Sequence, residues 1–308
     1  MRIVSLFSGS GGLDLGLIQA GHEVLWANDI DKDAVSTYTY NIGHHIHQGD
    51  INDIDLGNLP ESDIIIGGFP CQGFSMANMK RKIDDERNLL YKSFYEAIMK
   101  KQPKFFIAEN VKGILSLGKG IVLKQIIEDF STAGYMVSVN LVNMADYGVP
   151  QTRQRVIFLG QRKDLGEKML IHIPEKTNSK DGKKLPKWIS VHDAISHFPE
   201  PNADHSIPNH VCSSYKVVVR NFTGHRKTDP SKPSPTILAR GNGGGGVVAI
   251  PHYNGERRLT IRESASIQTF PEDFVFIGSM NSCYRQIGNA VPVHFAYLLG
   301  CELNKIRL

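Results

Sequence analysis

Hydrophobic residues in the first half of the chain fall into short runs separated by longer segments with a helical spacing. Runs of four to six apolar or small residues are typical of buried strands. They occupy residues 3–7, 24–27, 64–67, 105–108, 137–142 and 156–160. Between several of them apolar residues repeat every three or four positions, as in Leu90, Phe94 and Ile98. This alternation predicts an α/β fold with a mainly parallel sheet covered on both faces.

From about Leu165 onward the chain has a different composition and a different pattern of apolar residues. Nine prolines lie between positions 174 and 251, and residues 241–246 are almost all glycine. Prolines and glycines at this density interrupt regular elements and predict an irregular second lobe. Helical spacing returns at residues 260–268 and 293–306, and the second of these helices could complete the first lobe.

Composition narrows the class of protein, and the distribution of charge narrows it further. The 308 residues are 41% hydrophobic and 21% charged, which is ordinary for a globular chain. No apolar run approaches the roughly 20 residues of a membrane span, and the first residues already read as a strand rather than a signal peptide. The four cysteines lack paired or metal-ligand spacing, so we expect a cytoplasmic protein without a metal. Residues 161–260 hold 16 basic and 9 acidic side chains, which weakly favours a polyanionic partner for the second lobe.

Cys71 follows the third apolar run, within the sequence Gly-Gly-Phe-Pro-Cys-Gln-Gly-Phe-Ser of residues 67–75. A cysteine is most often a buried structural residue. Here glycine, proline, glutamine and serine surround it, and these residues are typical of a loop at a strand end. We therefore expect Cys71 to be a reactive nucleophile.

A glycine-rich turn, Phe-Ser-Gly-Ser-Gly-Gly, joins the first predicted strand to the first helix at residues 7–12. Such a turn lets a ligand approach the backbone at a helix N-terminus. A dinucleotide fingerprint would place its third glycine at position 14, which is Asp14. Asp29 and Asp50 follow later apolar stretches and could bind ribose hydroxyls and an adenine amino group, although either could be an exposed strand-end residue. Together they predict a nucleoside cofactor and disfavour NAD.

Three further polar segments follow strands or open a helix. Glu109 ends the fourth apolar run, where its carboxyl could protonate a ring nitrogen beside Cys71, although such a residue is often a solvent-facing cap. Arg153 and Arg155 would share one face of an extended segment, where one could bind a base carbonyl or a phosphate; paired arginines are also common in surface ion pairs. Residues 286–292, Gln-Ile-Gly-Asn-Ala-Val-Pro, are predicted to open the last helix.

In this order the segments resemble the DNA (cytosine-5)-methyltransferases of bacterial restriction–modification systems, over nearly the whole chain. The matches are the turn at 7–12, Pro-Cys-Gln at 70–72, Glu-Asn-Val at 109–111, Gln-x-Arg-x-Arg at 151–155 and Gly-Asn-Ala-Val-Pro at 288–292. The resemblance implies a class I S-adenosylmethionine-dependent methyltransferase with a Rossmann-like, mixed and mainly parallel sheet. It also implies a catalytic and cofactor-binding domain at 1–175, a smaller irregular target-recognition domain at 176–281, and a C-terminal helix at 282–308 that returns to the catalytic domain.

The resemblance implies methyl transfer to carbon 5 of a cytosine that is flipped out of double-stranded DNA. The Cys71 thiolate would attack carbon 6, Glu109 would hold the N3 and amino edge, and Arg155 would bind O2 with support from Arg153. The segment 72–87 would close over the flipped nucleotide. The protein would act as a monomer on DNA and protect host DNA from a partner nuclease.

The resemblance also assigns residues to the two binding sites. The cofactor site would comprise Phe7, Ser8, Gly9, Gly11, Gly12, Asp29, Ile30, Asp50, Ile51, Pro70, Asn289 and Ala290. Target recognition would use Thr236, Ile237, Arg240 and Gly241, with base edges read in the major groove. Lys183, Lys184 and Lys187 would contact phosphate or only solvent.

Two departures from the family pattern stand out, and three rival functions remain. Many relatives have glutamate in place of Asp29 and an aromatic residue in place of Ile30. The segment Arg-Glu-x-x-Arg-x-Gln-x-Phe-Pro appears at 262–271 with Ser266 in place of the second arginine, so we expect one buried ion pair to be absent. The rivals are a tRNA methyltransferase, whose Cys-Phe-Thr signature the chain lacks, a non-catalytic DNA-binding relative, and a Rossmann oxidoreductase.

Overall fold

The fold is taken from a computed structural model that describes residues 1–69, 89–166, 169–204, 206–212, 217, 227–239 and 250–306. A seven-stranded sheet forms its centre, in the order β3-β2-β1-β4-β5-β8-β6. These strands are β1 Arg2–Leu6, β2 Glu23–Asp29, β3 Ile46–Gln48, β4 Ile64–Gly67, β5 Phe105–Val111, β6 Tyr135–Asn143 and β8 Gln154–Arg162. Two short strands, β7 Gln151–Thr152 and β9 Ser234–Pro235, pair in parallel as a second sheet.

The predicted α/β class with a mixed, mainly parallel sheet is confirmed. The first five strands of the main sheet run parallel, and β8 is antiparallel to both β5 and β6. The three isoleucines of β4 are fully buried, because helices cover both faces of this central strand. All six predicted strands are present, whereas the three-residue β3 had too short an apolar pattern to be predicted.

Helices pack on both faces of the sheet and form a separate group around the second lobe. Their bounds are α1 Gly12–Gln19, α2 Lys32–Asn41, α3 Leu89–Lys101, α4 Ile121–Thr132, α5 Val191–Ile195, α6 Ile261–Ile267, α7 Met280–Asn289 and α8 Val293–Leu303. Short 3-10 helices lie at Ile51–Asp53, Leu56–Asn58, Lys112–Leu115, Leu117–Gly120, Met144–Tyr147 and Lys163–Leu165. None of the helices in the described residues is long and apolar enough to cross a membrane.

The C-terminal segment differs in detail from its prediction. Gln286 does not open the last helix, because residues 286–289 are the last turn of α7 and α8 begins only after the cap Pro292. Helix α8 packs along α1: a Cβ added to Gly16 would lie 2.4 Å from that of Ala296. Helix α7 packs instead with α5 and α6 in the core of the second lobe, so it crosses the expected boundary at residues 281 and 282.

The order of the strands defines where a ligand can enter the fold. From β1 the chain turns first to β2 and β3 on one side, and later to β4 and β5 on the other. In open α/β sheets this reversal leaves a crevice outside the carboxyl ends of the two central strands. Both the glycine turn and the segment that leads to Cys71 follow strands at this crevice.

Candidate active site at the carboxyl edge of the sheet

The glycine turn has a backbone that requires its glycines. Phe7, Gly9 and Gly11 all have positive φ angles of 57°, 56° and 86°. The N–H of Gly11 donates to the Ser8 carbonyl at 2.9 Å and closes the turn before α1 begins. A Cβ added to Gly9 would meet no atom within 4 Å, so the backbone here borders open space. This is the arrangement that a ligand needs in order to approach the peptide closely.

Asp29 is fixed against the turn by its own carboxylate. Its Oδ2 accepts from the Gly9 N–H at 2.7 Å, and its Oδ1 accepts from the Asp31 N–H at 2.8 Å. Burial raises the pKa of Asp29 above its ordinary value, although these two hydrogen bonds oppose the shift. Each oxygen keeps a lone pair, so the carboxylate can still accept from a diol.

Asp50 is held at the end of the neighbouring strand. The side-chain amide of Asn28 donates to the carbonyls of His47 and Gly49, at 3.0 Å each, and ties β2 to the segment after β3. Asp50 then caps the 3-10 helix Ile51–Asp53 by accepting from the Asn52 N–H at 3.0 Å. Both aspartates predicted to bind the cofactor therefore follow adjacent strands at one edge.

Apolar surface and an unpaired hydroxyl complete this side of the crevice. Ile30 follows β2 and is 66% exposed, which is unusual for an isoleucine at a strand end, whereas Ile51 is 2% exposed. Ser10 is buried in the glycine turn, and its Oγ has no hydrogen-bond partner in the described residues. Exposed apolar surface, an anchored carboxylate and open backbone fit an amphipathic nucleoside cofactor.

The C-terminal segment borders the same turn. A Cβ on Gly12 would lie 2.4 Å from the carbonyl oxygen of Val291, so the start of α1 and the segment 289–291 are in direct contact. Asn289 is exposed and Ala290 is partly buried at this contact. Residues that are 279 positions apart in sequence thus border one crevice, as the cofactor prediction requires.

Asp14 belongs to the core rather than to the ligand side. Its carboxylate is fully buried and accepts from Ser5 Oγ and Tyr38 Oη, each at 2.8 Å. Burial is the largest cause of a pKa raised to about 6. The position that disfavoured an NAD fingerprint is therefore occupied by a structural carboxylate.

Glu109 and Arg155 meet on the adjacent strands β5 and β8. Arg155 lies opposite Val111 in the antiparallel register, which puts its side chain on the same face as that of Glu109. Arg155 Nε lies 2.7 Å from Glu109 Oε1, and the two side chains are 13% and 12% exposed. This ion pair is not aligned as a hydrogen bond, and Glu109 Oε1 has no hydrogen-bond partner in the described residues. Both groups keep donor or acceptor capacity for a polar ring.

The segment that leads to Cys71 is fixed beside this carboxylate. The Asn110 side-chain amide donates to the Phe69 carbonyl at 2.9 Å, in a buried position. A Cβ on Gly68 would lie 3.4 Å from Glu109 Oε2. The backbone two and three residues before Cys71 therefore lies next to the predicted acid. Pro70, Cys71 and the predicted cover segment 72–87 lie outside the described residues.

Arg153 occupies a different position from Arg155. It is 1% exposed, and its guanidinium donates to the carbonyls of Ile237 at 3.1 Å, Gly288 at 2.9 Å and Ala290 at 3.1 Å. Burial lowers the pKa of Arg153 below its ordinary value. The side chain joins the strand that carries Arg155 to the second lobe and to the C-terminal segment, so it supports the site without facing it.

Two glutamines extend this buried junction, and sequence reasoning missed their role. Gln151 Nε2 donates to Gln268 Oε1 at 2.8 Å, while Gln151 Oε1 accepts from the Ile237 N–H at 2.8 Å. Gln268 Nε2 in turn donates to the Ile287 and Ala290 carbonyls. Both glutamines lay in segments that resembled the family, but nothing in their spacing indicated that they would meet.

The predicted recognition residues divide into three groups. Thr236 is partly buried, and its Oγ1 donates to the Thr152 carbonyl at 2.9 Å. Ile237 is 4% exposed, with its N–H and carbonyl both bonded inside the protein, so its side chain is a core residue that cannot reach a base edge in this arrangement. Arg240 and Gly241 lie outside the described residues.

The substitution at Ser266 leaves the neighbouring glutamate paired. Glu263 is 1% exposed, and both of its oxygens accept from the Arg257 guanidinium at 2.8 Å. Arg257 precedes the family segment and also bonds Glu200 at 2.7 Å. The expected loss of a buried ion pair is thus offset from outside the segment, while the buried Ser266 Oγ has no hydrogen-bond partner in the described residues.

Comparison with known proteins agrees with the fold. The chain is similar in structure to a protein described as a DNA modification methyltransferase encoded within a prophage (E. coli), with a TM-score of 0.76 and 27% identity. The superposition covers 99% of each chain. It superposes on the S. pombe Dnmt2 methyltransferase with a TM-score of 0.75 at 19% identity, over all of both chains. The architecture is therefore that of the class I S-adenosylmethionine-dependent methyltransferases.

The sequence comparisons narrow this class to one family. Residues 1–305 match the family of C-5 cytosine-specific DNA methylases. The chain is 41% identical to the type II methyltransferase M.NgoFVII of Neisseria gonorrhoeae, over 94% of this chain and 83% of that protein. It is 39% identical to M.FnuDI of Fusobacterium nucleatum, over 99% and 94% of the two chains. The chain belongs to the C-5 cytosine-specific DNA methylases.

Proposed function

We propose that this protein is the methylase of a type II restriction–modification system, which methylates carbon 5 of one cytosine in a short recognition sequence of double-stranded DNA. The observation that carries this proposal is the contact between Glu109 and Arg155 beside the segment that leads to Cys71. The relatives at 39–41% identity are named type II methyltransferases. A type II methyltransferase would protect the host DNA against a partner nuclease. It would act in the cytoplasm, at the nucleoid.

S-adenosylmethionine is the proposed methyl donor and supplies an electrophilic methyl group on sulfur. Gly9, Asp29 and Asp50 would bind its adenosine, with Ile30 packed against the ring. Ile30 supports this because it is the one exposed large hydrophobic residue beside Asp29 in the described part of the chain. Asn289 and Ala290 would border the methionine end, since the segment 289–291 contacts the start of α1.

The chemistry needs carbon 5 of cytosine to become nucleophilic. The Cys71 thiolate adds to carbon 6, and protonation at N3 by Glu109 takes up the charge that develops in the ring. Arg155 donates to O2 and holds the base in the orientation that Cys71 requires. Carbon 5 then takes the methyl group and loses its proton to a base. The electron pair of the broken C–H bond restores the double bond between carbons 5 and 6 and expels the Cys71 thiolate, and N3 returns its proton to Glu109.

The ion pair of Glu109 and Arg155 supports these roles. Arg155 keeps the carboxyl side chain on the face that a base would occupy, and the poor alignment of the pair leaves Glu109 Oε1 without a hydrogen-bond partner in the described residues. A flipped base could supply that partner. Extrusion of the base costs a few kcal/mol of stacking and pairing, which these contacts would offset. Arg153 is assigned a positioning role, because both terminal nitrogens of its guanidinium donate to backbone carbonyls.

A covalent trap tests this mechanism. In a duplex with 5-fluorocytosine in the recognition sequence, the fluorine on carbon 5 cannot leave as a cation in the way that a proton does. In the presence of S-adenosylmethionine, the enzyme should therefore stay covalently bonded to this duplex through denaturing electrophoresis. Cys71→Ala should give no adduct, and Cys283→Ala should give a normal one, since Cys283 is buried in the second lobe. An adduct in Cys71→Ala would refute the assignment of the nucleophile. Transfer to RNA but not to duplex DNA would instead support the tRNA methyltransferase.

A further inference from the structure

A lysine-rich loop at residues 176–187 is unused by the proposed chemistry. It contains five lysines and one acidic residue, Asp181. Lys180, Lys183, Lys184 and Lys187 are exposed, and none of the four forms an ion pair with a carboxylate of the described residues. A cluster of unpaired cations attracts a polyanion, and binding releases the counterions that had surrounded the polyanion.

The loop is held in one shape by its own hydrogen bonds. The N–H of Ser179 donates to the Pro186 carbonyl at 2.8 Å, and the N–H of Trp188 donates back to the Ser179 carbonyl at 3.0 Å. The Asn178 amide donates to the Lys187 carbonyl at 2.9 Å, and Gly182 turns the chain with a φ of 67°. The backbone that carries the lysines is thus ordered before any partner binds.

Asp146 anchors the loop to the catalytic sheet. Its carboxylate accepts from Trp188 Nε1 at 2.9 Å and pairs with Lys176 at 2.8 Å. Its backbone carbonyl accepts from the N–H groups of Thr177 and Asn178, at 3.0 and 3.1 Å. Four contacts therefore converge on one residue of the 3-10 helix Met144–Tyr147.

This anchor places the loop on the same edge as the candidate active site. Strand β6 is antiparallel to β8, which is antiparallel to β5, so β6 and β5 end at the same edge. The N–H of Met144, directly after β6, donates to the carbonyl of Arg153 at 2.9 Å. The loop is thus anchored to a 3-10 helix whose first residue, Met144, bonds the backbone two residues from Arg155.

We propose that this lysine loop binds the phosphate backbone of the DNA duplex beside the target cytosine, without reading its sequence. The inference rests on the proposed function, since the duplex at the active site is the polyanion. Lysine ammonium groups act as point charges that suit phosphates. Because the lysine side chains are exposed and flexible, each ammonium group can adjust its position to contact a phosphate. Base recognition would remain with other parts of the second lobe.

Salt dependence of binding tests the loop directly. We compare the double variant Lys183→Ala/Lys184→Ala with the wild type by fluorescence anisotropy, on a duplex that carries the recognition sequence. The slope of log K against log salt should become shallower by about 1.8, since each phosphate contact contributes about 0.9. The KM for DNA should rise, whereas kcat at saturating DNA and the methylated sequence should be unchanged.

A matched control removes two lysines from the opposite edge. Lys100 lies in the last turn of α3 before β5 begins, and Lys305 follows α8 near the end of α1. Each is exposed and pairs with a glutamate three or four positions earlier in the chain. Lys100→Ala/Lys305→Ala should keep the wild-type slope. An equal slope in the two double variants would overturn the proposal, and so would an altered recognition sequence in the loop variant. Absence of methylation by the wild type in the same samples would instead refute the proposed function.

Discussion

Replacement of Gly9 by alanine separates the folding role of the glycine turn from its binding role. Gly9 has a φ of 56°, and a Cβ there would project into open space with nothing within 4 Å. Alanine in this left-handed conformation costs about 1–2 kcal/mol of folding free energy. In the folded protein the added methyl group would occupy space assigned to the cofactor. Overpacking by one methyl group costs about 1–3 kcal/mol, which is roughly a 5- to 150-fold rise in Kd.

Gly21→Ala provides the matched control for this change. Gly21 has a φ of 92° and equally open surroundings, but it follows α1 at the far end from the crevice. Both variants should lose similar stability in urea titrations. Only Gly9→Ala should bind S-adenosylhomocysteine more weakly in isothermal titration calorimetry. Equal Kd values for the two variants would show that Gly9 does not border the cofactor.

Three other substitutions probe the buried groups around the site. Asp14→Asn should remove a pH dependence: because the pKa of Asp14 is raised to about 6, the wild type should lose about 2 kcal/mol of stability relative to the variant as pH rises from 4 to 6, in urea titrations at each pH. A constant difference would contradict the burial argument. Glu109→Gln should lower kcat by about 10²- to 10⁴-fold in a methyl-transfer assay and leave the Kd of S-adenosylhomocysteine unchanged. Arg153→Met should leave the Ile237 and Gly288 carbonyls without a donor from the described residues and lower the free energy of unfolding by about 2 kcal/mol or more, whereas an exposed variant such as Lys124→Met should not.

The local features of the fold could be predicted because they depend on neighbours in sequence. The apolar runs of the main strands and the glycines of the turn at 7–12 each carry their own signal. Helix α2 carried no such signal, since its residues Lys32–Asn41 are mostly polar and it is held by the Asp31 cap and by contacts with the strands. Strand β3 was missed because three residues give no period.

The functions of individual site residues were harder to infer from spacing. Arg153 and Arg155 looked equivalent, two positions apart, yet one binds three distant carbonyls and the other contacts Glu109. Only the tertiary fold brings Gly288 and Ile237 to Arg153. The pairing of Glu263 with Arg257, which lies outside the family segment, is likewise a contact that no motif describes. Sequence therefore located the segments of the site, and the packing of the second lobe decided which side chains face it.

The position of the methyl group on DNA tests the proposed activity of the protein most directly. A library of random duplexes is treated with the protein and S-adenosylmethionine and then sequenced after bisulfite conversion. We predict that one cytosine within one short sequence resists conversion after treatment with the wild type or with Cys283→Ala, but not after treatment with Cys71→Ala. Complete conversion of every cytosine by the wild-type sample would contradict it.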